Sequence, residues 1–546
     1  MNYFVYHLHS DLSNGITNID SVTKFESYIS RAKELGMTAL AFSEHGSLFE
    51  WYHKKQSIEG AGMKYVHAIE VYVTDDSKEE KVRDNYHCVL LAKNYDGFLE
   101  LNKLVSKSFY RDGHFYYTPR IFISELFHTS DNILITTACL GGILGRGVEN
   151  GSLELVDSFI KFLADNKHRC FLEIQHHDVE RQKTYNLELL KLHKQYGIPL
   201  IAGTDTHALN KEHLEGRKIL QLSKNIHFDE EDEWDLSFKT YNELLDAYDV
   251  QGVVDEAVYL EAIANTNVLA DMVEPFKIDT TPKYPQIYEN PIETFKRKIW
   301  EKMKSHRYAL QRYGQDQLVE RVKMELDAYI KTGSVNFMLL QYYLRSWEVE
   351  NGIFCGPARG SVSGSQIAYI LGITEMDSMK FNLNFSRFIN KDRISMADID
   401  TDYGEADRER VRKFILGDKM NLEYLKTSAI ITFNTIAQRG AIRDVGRALE
   451  IPLDVVGKIC DDAEDESQLE KLKKKFPDLF RYVEIVMGTI VSVGSHPCGI
   501  VVSDVDLESN LGLCTLSTSE YPVSMLNMKE LDSLNYIKLD ILGLDN

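Results

Sequence analysis

One phrase recurs through about the first 210 residues and constrains the fold more than any other feature. An apolar, strand-like run ends in a polar residue able to ligate a metal. The runs are YFVYHLH, TALAFSEH, YVHAIEVYV, HCVLLAKN, NILITTACL, CFLEIQHH and PLIAGTDTH. Helical patterns follow several of them. In SVTKFESYISRAKELG, Phe25, Ile29, Ala32 and Leu35 fall at helical spacing and the pattern stops at Gly36. Mostly apolar strands alternating with helices predict a parallel sheet covered on both faces. Seven such units predict a (β/α)7-like barrel with its site at the C-terminal strand ends.

The chemistry-bearing residues sit at those ends. His7 and His9 flank Leu8, so on a strand both rings point to one side. His45, Glu70, His87, Cys139, Asp205 and His207 close or open other runs. Imidazole, carboxylate and thiolate are the ligand set of Zn²⁺, Mn²⁺ or Fe²⁺. Taken singly, each histidine reads as a core residue. H-x-H, S-E-H-G and T-D-T-H on three strands of one barrel point to ligation.

At 546 residues the chain exceeds one core, so several domains are expected. Its 44% apolar and 11% aromatic content excludes a disordered chain. No apolar run reaches about 18 residues, the start lacks a signal-peptide pattern, and none of the seven cysteines forms C-x-x-C. A reducing cytoplasm and no membrane are expected. With a net charge of −21 the chain is a poor nonspecific nucleic-acid binder overall, so any polynucleotide contact must come from local basic surface. FKRKIWEKMKSHRYALQR (295–312) is one basic stretch, read equally well as a solvated helix face. Two acidic runs, 229–233 and 461–466, read as linker or helix-end charge.

Four of the eleven prolines fall in residues 275–291, marking a boundary. Beyond it, SMADIDTDY places Asp398, Asp400 and Asp402 at alternate positions. On a strand such neighbours share a face roughly 6.6 Å apart and repel unless a cation lies between them. Two divalent ions about 4 Å apart clamp the oxygens of an in-line displacement. Upstream, CGPARGSVSGSQIAYILGI offers a Gly/Ser loop, the Arg359 guanidinium and a helix N-terminus to phosphate oxygens. Downstream, KLDILGL puts Lys538 and Asp540 on one strand face. Each of these features taken alone is weak.

Together they carry a resemblance. HLHSDLS, SEHG, AIE and GTDTH resemble the PHP family of metal-dependent phosphoesterases. GPARGSVSGSQIAYILGITEMDSMKFNLNFSRFINKDRISMADIDTDY resembles the palm of C-family bacterial replicative polymerases, the DNA polymerase III α subunits. ITFNTIAQRGAIRDVGRALEIP, GSHPCGIVVS and KLDILGL follow in that family's order. The resemblance implies an α/β multidomain chain. A PHP domain over 1–277 precedes a palm, a mixed sheet with helices, over 278–425. A helical thumb over 426–490 and a second palm part over 491–546 complete it. It implies that Asp400, Asp402 and Asp540 bind two Mg²⁺. Arg359, Gly360, Ser361, Gly364, Ser365 and Lys538 would surround the incoming triphosphate. His7, His9, His45, Glu70, His87, Cys139, Asp205 and His207 would hold Zn²⁺ or Mn²⁺. Asp398 is not a ligand in that pattern. Implied partners are primer-template DNA and dNTPs.

Several positions depart from the family pattern. The Asp usual after the H-x-H pair has its nearest equivalent in Asn14, and the usual Asp before the third histidine is Glu44. Ala397 and Ala358 replace Pro and Gly. GSHPCG lacks an upstream arginine, and no role is assigned to His496. In the family the PHP site is either a 3′→5′ proofreading nuclease or a silent scaffold; the ligands retained here favour activity. The sequence stops six residues after Asp540, where the family continues into fingers and clamp-binding regions. Little polymerase activity is therefore expected of this chain alone. A partner half carrying fingers, through which a sliding clamp would bind, is one explanation beside a chain cut short or an interrupted gene. Two other readings stay open: a PHP phosphoesterase or exonuclease whose palm only grips DNA, and a silent replisome scaffold.

Overall fold

The computed structural model describes residues 2–76, 85–226, 234–357, 359–389 and 399–543. Ala358, Ala397, Asp398 and the acidic run 229–233 lie outside them. The chain divides into two compact units. The first comprises residues 1–277, 432–494 and 511–514; the second comprises 278–431, 495–510 and 515–546.

In the first unit, β1 (Ala39–Phe42), β2 (Lys64–Thr74), β3 (Tyr86–Ala92), β4 (Arg120–Phe122), β5 (Ile133–Thr136), β6 (Cys170–Gln175) and β7 (Leu200–Gly203) form one sheet. Its order is β1-β2-β3-β5-β6-β7, with β4 also on β2. The first apolar run pairs only by isolated parallel bridges, Val5 with Leu40 and Leu8 with Thr206. Those bridges join the two ends of the sheet and curl it on itself. The strands are buried along nearly their whole length, which is why they read as continuous apolar runs. The sheet is mixed, not purely parallel: β3 runs antiparallel to both β2 and β5. Thr74 and Tyr86 are too close in sequence for the helical crossover that a parallel return takes.

Helices Gln438–Ala448, Leu453–Asp462 and Pro477–Val486 also belong to the first unit. Their Ile442, Val445, Val456, Phe480 and Val483 share one core with Ile19, Val22 and Leu220.

The remaining strands are β8 (Asp400–Tyr403), β9 (Lys426–Thr435), β10 (Ile490–Ser503), β11 (Leu513–Cys514), β12 (Val523–Ser524) and β13 (Lys538–Gly543). In the second unit β13 lies parallel to β8 and antiparallel to β10, and β12 lies parallel to β9. Helices Pro291–Ser305, Gln315–Lys331 and Val335–Glu350 pack their apolar faces into the same core as Ile399, Ile500, Leu539 and Ile541. Helix Pro291–Ser305 buries Phe295, Ile299 and Met303. Its Lys296 and Arg297 pair with Glu293 and Glu301 of the same helix, as on a solvated face. No helix among the described residues is long and apolar enough to cross a membrane.

His67 shows how the first unit handles buried polarity. Its Nδ1 accepts from the Tyr65 hydroxyl at 2.7 Å and its Nε2–H donates to Asn102 at 3.0 Å. Trp51 and Phe98 pack on the ring. Burial lowers its pKa to about 3. The unfolded chain takes up a proton near pH ~6.5 that the folded ring refuses, so the contribution is complete above that range and is lost as pH falls toward 3. We expect His67→Gln to flatten the loss of thermal stability of the chain between pH 6.5 and 4, measured by circular dichroism melts.

Candidate functional site

The polar ends of the barrel strands converge on Glu70, which is fully buried in β2. Its Oε1 lies 2.8 Å from His87 Nδ1 and 3.5 Å from His7 Nε2. Its Oε2 lies 2.9 Å from His45 Nδ1 and 3.5 Å from His9 Nε2. Asp205 Oδ1 stands 3.1 Å from both His7 Nε2 and His207 Nε2. His9 stacks between His45 and His207, with ring centroids 4.3 and 4.4 Å away. Cys139 Sγ is 3.6 Å from His87 Nδ1, at the margin of the cluster. All eight barrel residues singled out from sequence thus gather in one place.

The cluster suits divalent transition metals. Three triads, His9–His45–His207, His7–His9–Glu70 and His45–Glu70–His87, hold their ligand atoms within 4.8 Å of one another. His7 Nε2, His9 Nε2, His45 Nδ1 and both Glu70 oxygens are buried without a hydrogen bond that satisfies them. Burial, reinforced by His45 and His207, lowers His9 to about 4, which leaves its lone pair free. Burial alone would raise Glu70, but the surrounding His87, His45 and His7 hold it well below the usual carboxylate range. His7 behaves oppositely: Glu173, Asp205 and Glu70 outweigh burial and raise it. A proton and a metal would compete for that ring.

Sequence reasoning missed the carboxylate that completes the cluster. Asp20 Oδ2 lies 3.0 Å from His207 Nδ1 and its Oδ1 lies 3.5 Å from His45 Nε2. Asn14, the expected equivalent, has another task. Its Oδ1 accepts from the Asp20 and Ser21 backbone N–H groups, and its amide donates to the Ser21 and Ile490 carbonyls. It shapes the loop that presents Asp20. Asp11 and Asp20 are the only aspartates between the H-x-H pair and the first helix, which is the signal that was available. Glu44 is likewise saturated elsewhere, by Ser10, Ser13 and the Lys54 ammonium at 2.7 Å. Behind the cluster Glu173 accepts from the Tyr6 and Thr136 hydroxyls and lies 2.6 Å from His7 Nδ1, fixing which nitrogen faces inward. A Cβ on Gly203 would stand 2.1 Å from Glu173 Oε1, so only glycine fits there.

In the second unit β8 and β13 pair so that Asp400 stands opposite Asp540. Asp400 and Asp402 share a strand face with this rung. Ile537, Leu539 and Ile541 are buried on the other face. Burial raises Asp540 above the usual carboxylate range; Lys538 opposes the rise and Asp400 adds to it. Its Oδ1 is buried with no hydrogen-bond partner, an atom suited to a cation. Arg359 reaches over β8, with Nη1 2.8 Å from Asp402 Oδ1 and Nε 3.8 Å from Asp400 Oδ2. Lys538 Nζ lies 2.6 Å from Asp532.

The Gly/Ser loop departs from expectation. Gly360, at φ +71°, sets its Cβ direction 4.0 Å from Asp400 Oδ2, so the start of the loop abuts the carboxylates. Ser361 is half-buried, but Gly364 and Ser365 are turned inward. The helix that follows, Gln366–Leu371, does not offer its N-terminus to a ligand. The fully buried Glu325 carboxylate accepts from the Gln366 and Ile367 N–H groups at 2.9 and 3.0 Å. The Ser365 hydroxyl donates to Glu325 and caps the Ala368 N–H. A carboxylate 40 residues upstream in sequence occupies the place expected for phosphate.

Comparison with known proteins matches both halves. Residues 6–177 match the PHP domain family, and residues 293–543 match the bacterial DNA polymerase III alpha NTPase domain family. DNA polymerase III subunit alpha of Borreliella burgdorferi is 30% identical over 98% of this chain and 48% of that protein. The subunit of Treponema pallidum is 28% identical over 100% of this chain and 47% of its own length, and that of Aquifex aeolicus is 28% identical over 98% and 51%. The chain spans about half the length of the curated relatives it matches. With both domain families in order along one sequence, and nearly the whole chain aligned to about half of each relative, the chain is similar to the DNA polymerase III alpha subunits.

Proposed function

We propose that the chain carries the nucleotidyl-transfer palm of a replicative DNA polymerase together with a PHP phosphodiesterase site. The observation that carries the palm reading is the β8–β13 ladder with Asp540 beside Asp400. Asp400, Asp402 and Asp540 would hold Mg²⁺, which supplies charge neutralisation and activates the attacking primer hydroxyl. Arg359, Gly360, Ser361 and Lys538 would line the triphosphate. Gly364 and Ser365 would serve by holding the loop against Glu325. Asp402 Oδ1 is already engaged by Arg359, so cation and guanidinium contend for that oxygen, and the guanidinium released from it is positioned to meet a phosphate. Primer-template DNA and dNTPs are the proposed substrates. In domain terms we assign 1–277 to the PHP domain, 278–425 and 491–546 to the palm, and 426–490 to the thumb.

The second activity rests on the partnerless buried atoms around Glu70. His7, His9, His45, Glu70, His87, Cys139, Asp205 and His207, joined by Asp20, would hold Zn²⁺ or Mn²⁺, which activates water toward a phosphodiester. Hydrolysis from a DNA 3′ end is the proposed reaction, with Glu173 keeping His7 in its ligating orientation.

The relatives are about twice as long, so both tests address steps that the described residues perform. For the barrel, Asp20→Asn is expected to lower bound Zn²⁺ or Mn²⁺ and phosphodiesterase activity about 10–100-fold. Elemental analysis and 3′→5′ degradation of a labelled oligonucleotide measure the two. Full metal content and activity in that variant would remove Asp20 from the site. For the palm, Asp400→Asn and Asp540→Asn are each expected to abolish Mg²⁺-dependent dATP binding in calorimetry while leaving the barrel's metal content unchanged. Unaltered nucleotide binding in both variants would overturn the palm reading.

A further inference from the structure

His496 lies on β10 where that strand passes Asp540. Its Nδ1 accepts two backbone N–H groups, from Cys498 at 3.2 Å and from Gly499 at 2.8 Å. Gly499 is the ladder partner of Asp540. A Cβ on Gly499 would stand 3.3 Å from that Nδ1, so the ring sits directly over this rung. With Nδ1 committed as acceptor, a neutral imidazole carries its proton on Nε2. Nε2 has no hydrogen-bond partner among the described residues.

The turn holding the ring is built. Arg408 bonds the Pro497 carbonyl through Nη2 and, through Nε, the Ile541 carbonyl of β13 at 3.1 Å. Arg412 Nη1 adds a second bond to the Pro497 carbonyl at 2.8 Å. Arg408 therefore ties the turn carrying His496 to the strand carrying Asp540. Lys538 stands two residues before Asp540 on the same strand face.

We infer that His496 is a further substrate-contacting residue of the palm, its Nε2–H donating a hydrogen bond to a phosphate oxygen of the nucleotide bound at Asp400, Asp402 and Asp540. The inference rests on the palm reading proposed above. Cations from Arg408, Arg412 and Lys538 around one free donor make an anionic acceptor the fitting partner. With Nδ1 accepting two backbone N–H groups, the ring offers Nε2–H to orient the triphosphate, and no proton transfer is required of it. Arg408 and Arg412 are positioning residues for His496, since both reach it through the Pro497 carbonyl.

The test is calorimetric titration of the full chain with Mg²⁺ and dATP or dAMP. His496→Asn keeps an acceptor near the Nδ1 position and removes the Nε2–H donor. We expect about tenfold weaker dATP binding, unchanged dAMP binding and an unchanged melting temperature. Unchanged dATP binding by folded His496→Asn, alongside its loss in Asp400→Asn, overturns this inference and leaves the palm reading standing. Unchanged binding in Asp400→Asn and Asp540→Asn, or no Mg²⁺-dependent binding by the unaltered chain, overturns both. Should His496→Asn fail to fold, ¹⁵N-histidine spectra of the unaltered chain decide. An Nε2–H tautomer whose proton shifts with Mg²⁺ and dATP supports the contact; an Nδ1–H tautomer or no shift overturns it.

Discussion

The parallel pairing of β13 with β8 is the constraint on which the palm depends, because one register sets both a core and a charge cluster. Ile399, Leu539 and Ile541 are buried, while Asp400, Asp402 and Asp540 lie on the opposite face. A slip of one residue would send apolar side chains outward and carboxylates into the core. Hydrophobic burial therefore fixes the positions of acids that would otherwise repel one another. The apolar face holds together what the acidic face, by its own electrostatics, would push apart.

The two sites manage concentrated negative charge differently. In the barrel, fully buried Glu70 is within 3.5 Å of four imidazoles, and Asp205 and Asp20 each meet two or more. Every acid there has histidines as counter-charges, and those same histidines are the proposed metal ligands. Charge balance and ligand geometry are thus one arrangement, supported from behind by Glu173. In the palm, Asp400 and Asp402 are partly exposed and the counter-charge is the half-exposed Arg359. A long, solvated guanidinium moves at little cost, whereas a stacked imidazole cannot. The barrel is accordingly preorganised and the palm adaptable, as would suit the proposed nucleotide site.

Much of this was legible in the sequence, and the failures share a cause. Strand ends carrying H-x-H, S-E-H-G and T-D-T-H identified the barrel cluster because side chains on regular strands keep a fixed relation to the apolar pattern around them. The acids at 400, 402 and 540 were legible through the same two-residue period. Asp20 was not, because it sits in a loop whose path is set by Asn14 bonds to residues 20, 21 and 490. Glu325 was missed for a similar reason: a capping carboxylate from a distant helix leaves no trace beside the loop it caps. The antiparallel β3 was readable in principle from the short separation of two strands. A repeating strand–helix phrase obscured it.

The capping by Glu325 has a further consequence for the palm. Because the Gln366–Leu371 N-terminus is already satisfied, phosphate contacts on that side of the proposed site would fall to Arg359, Gly360 and Ser361 at the start of the loop. This segment is fixed by main-chain pairing: Gly356 N donates to the Asp402 carbonyl at 2.8 Å, and Cys355 bridges Tyr403. On the opposite side, the His496 turn is fixed to the Asp540 rung through Gly499 and Arg408. Donors on both sides are therefore referenced to the two strands that carry the carboxylates, not to independent loops. Any shift of β8 against β13 would carry each set of donors with its own acid, so the proposed phosphate recognition and cation binding would tighten or loosen together.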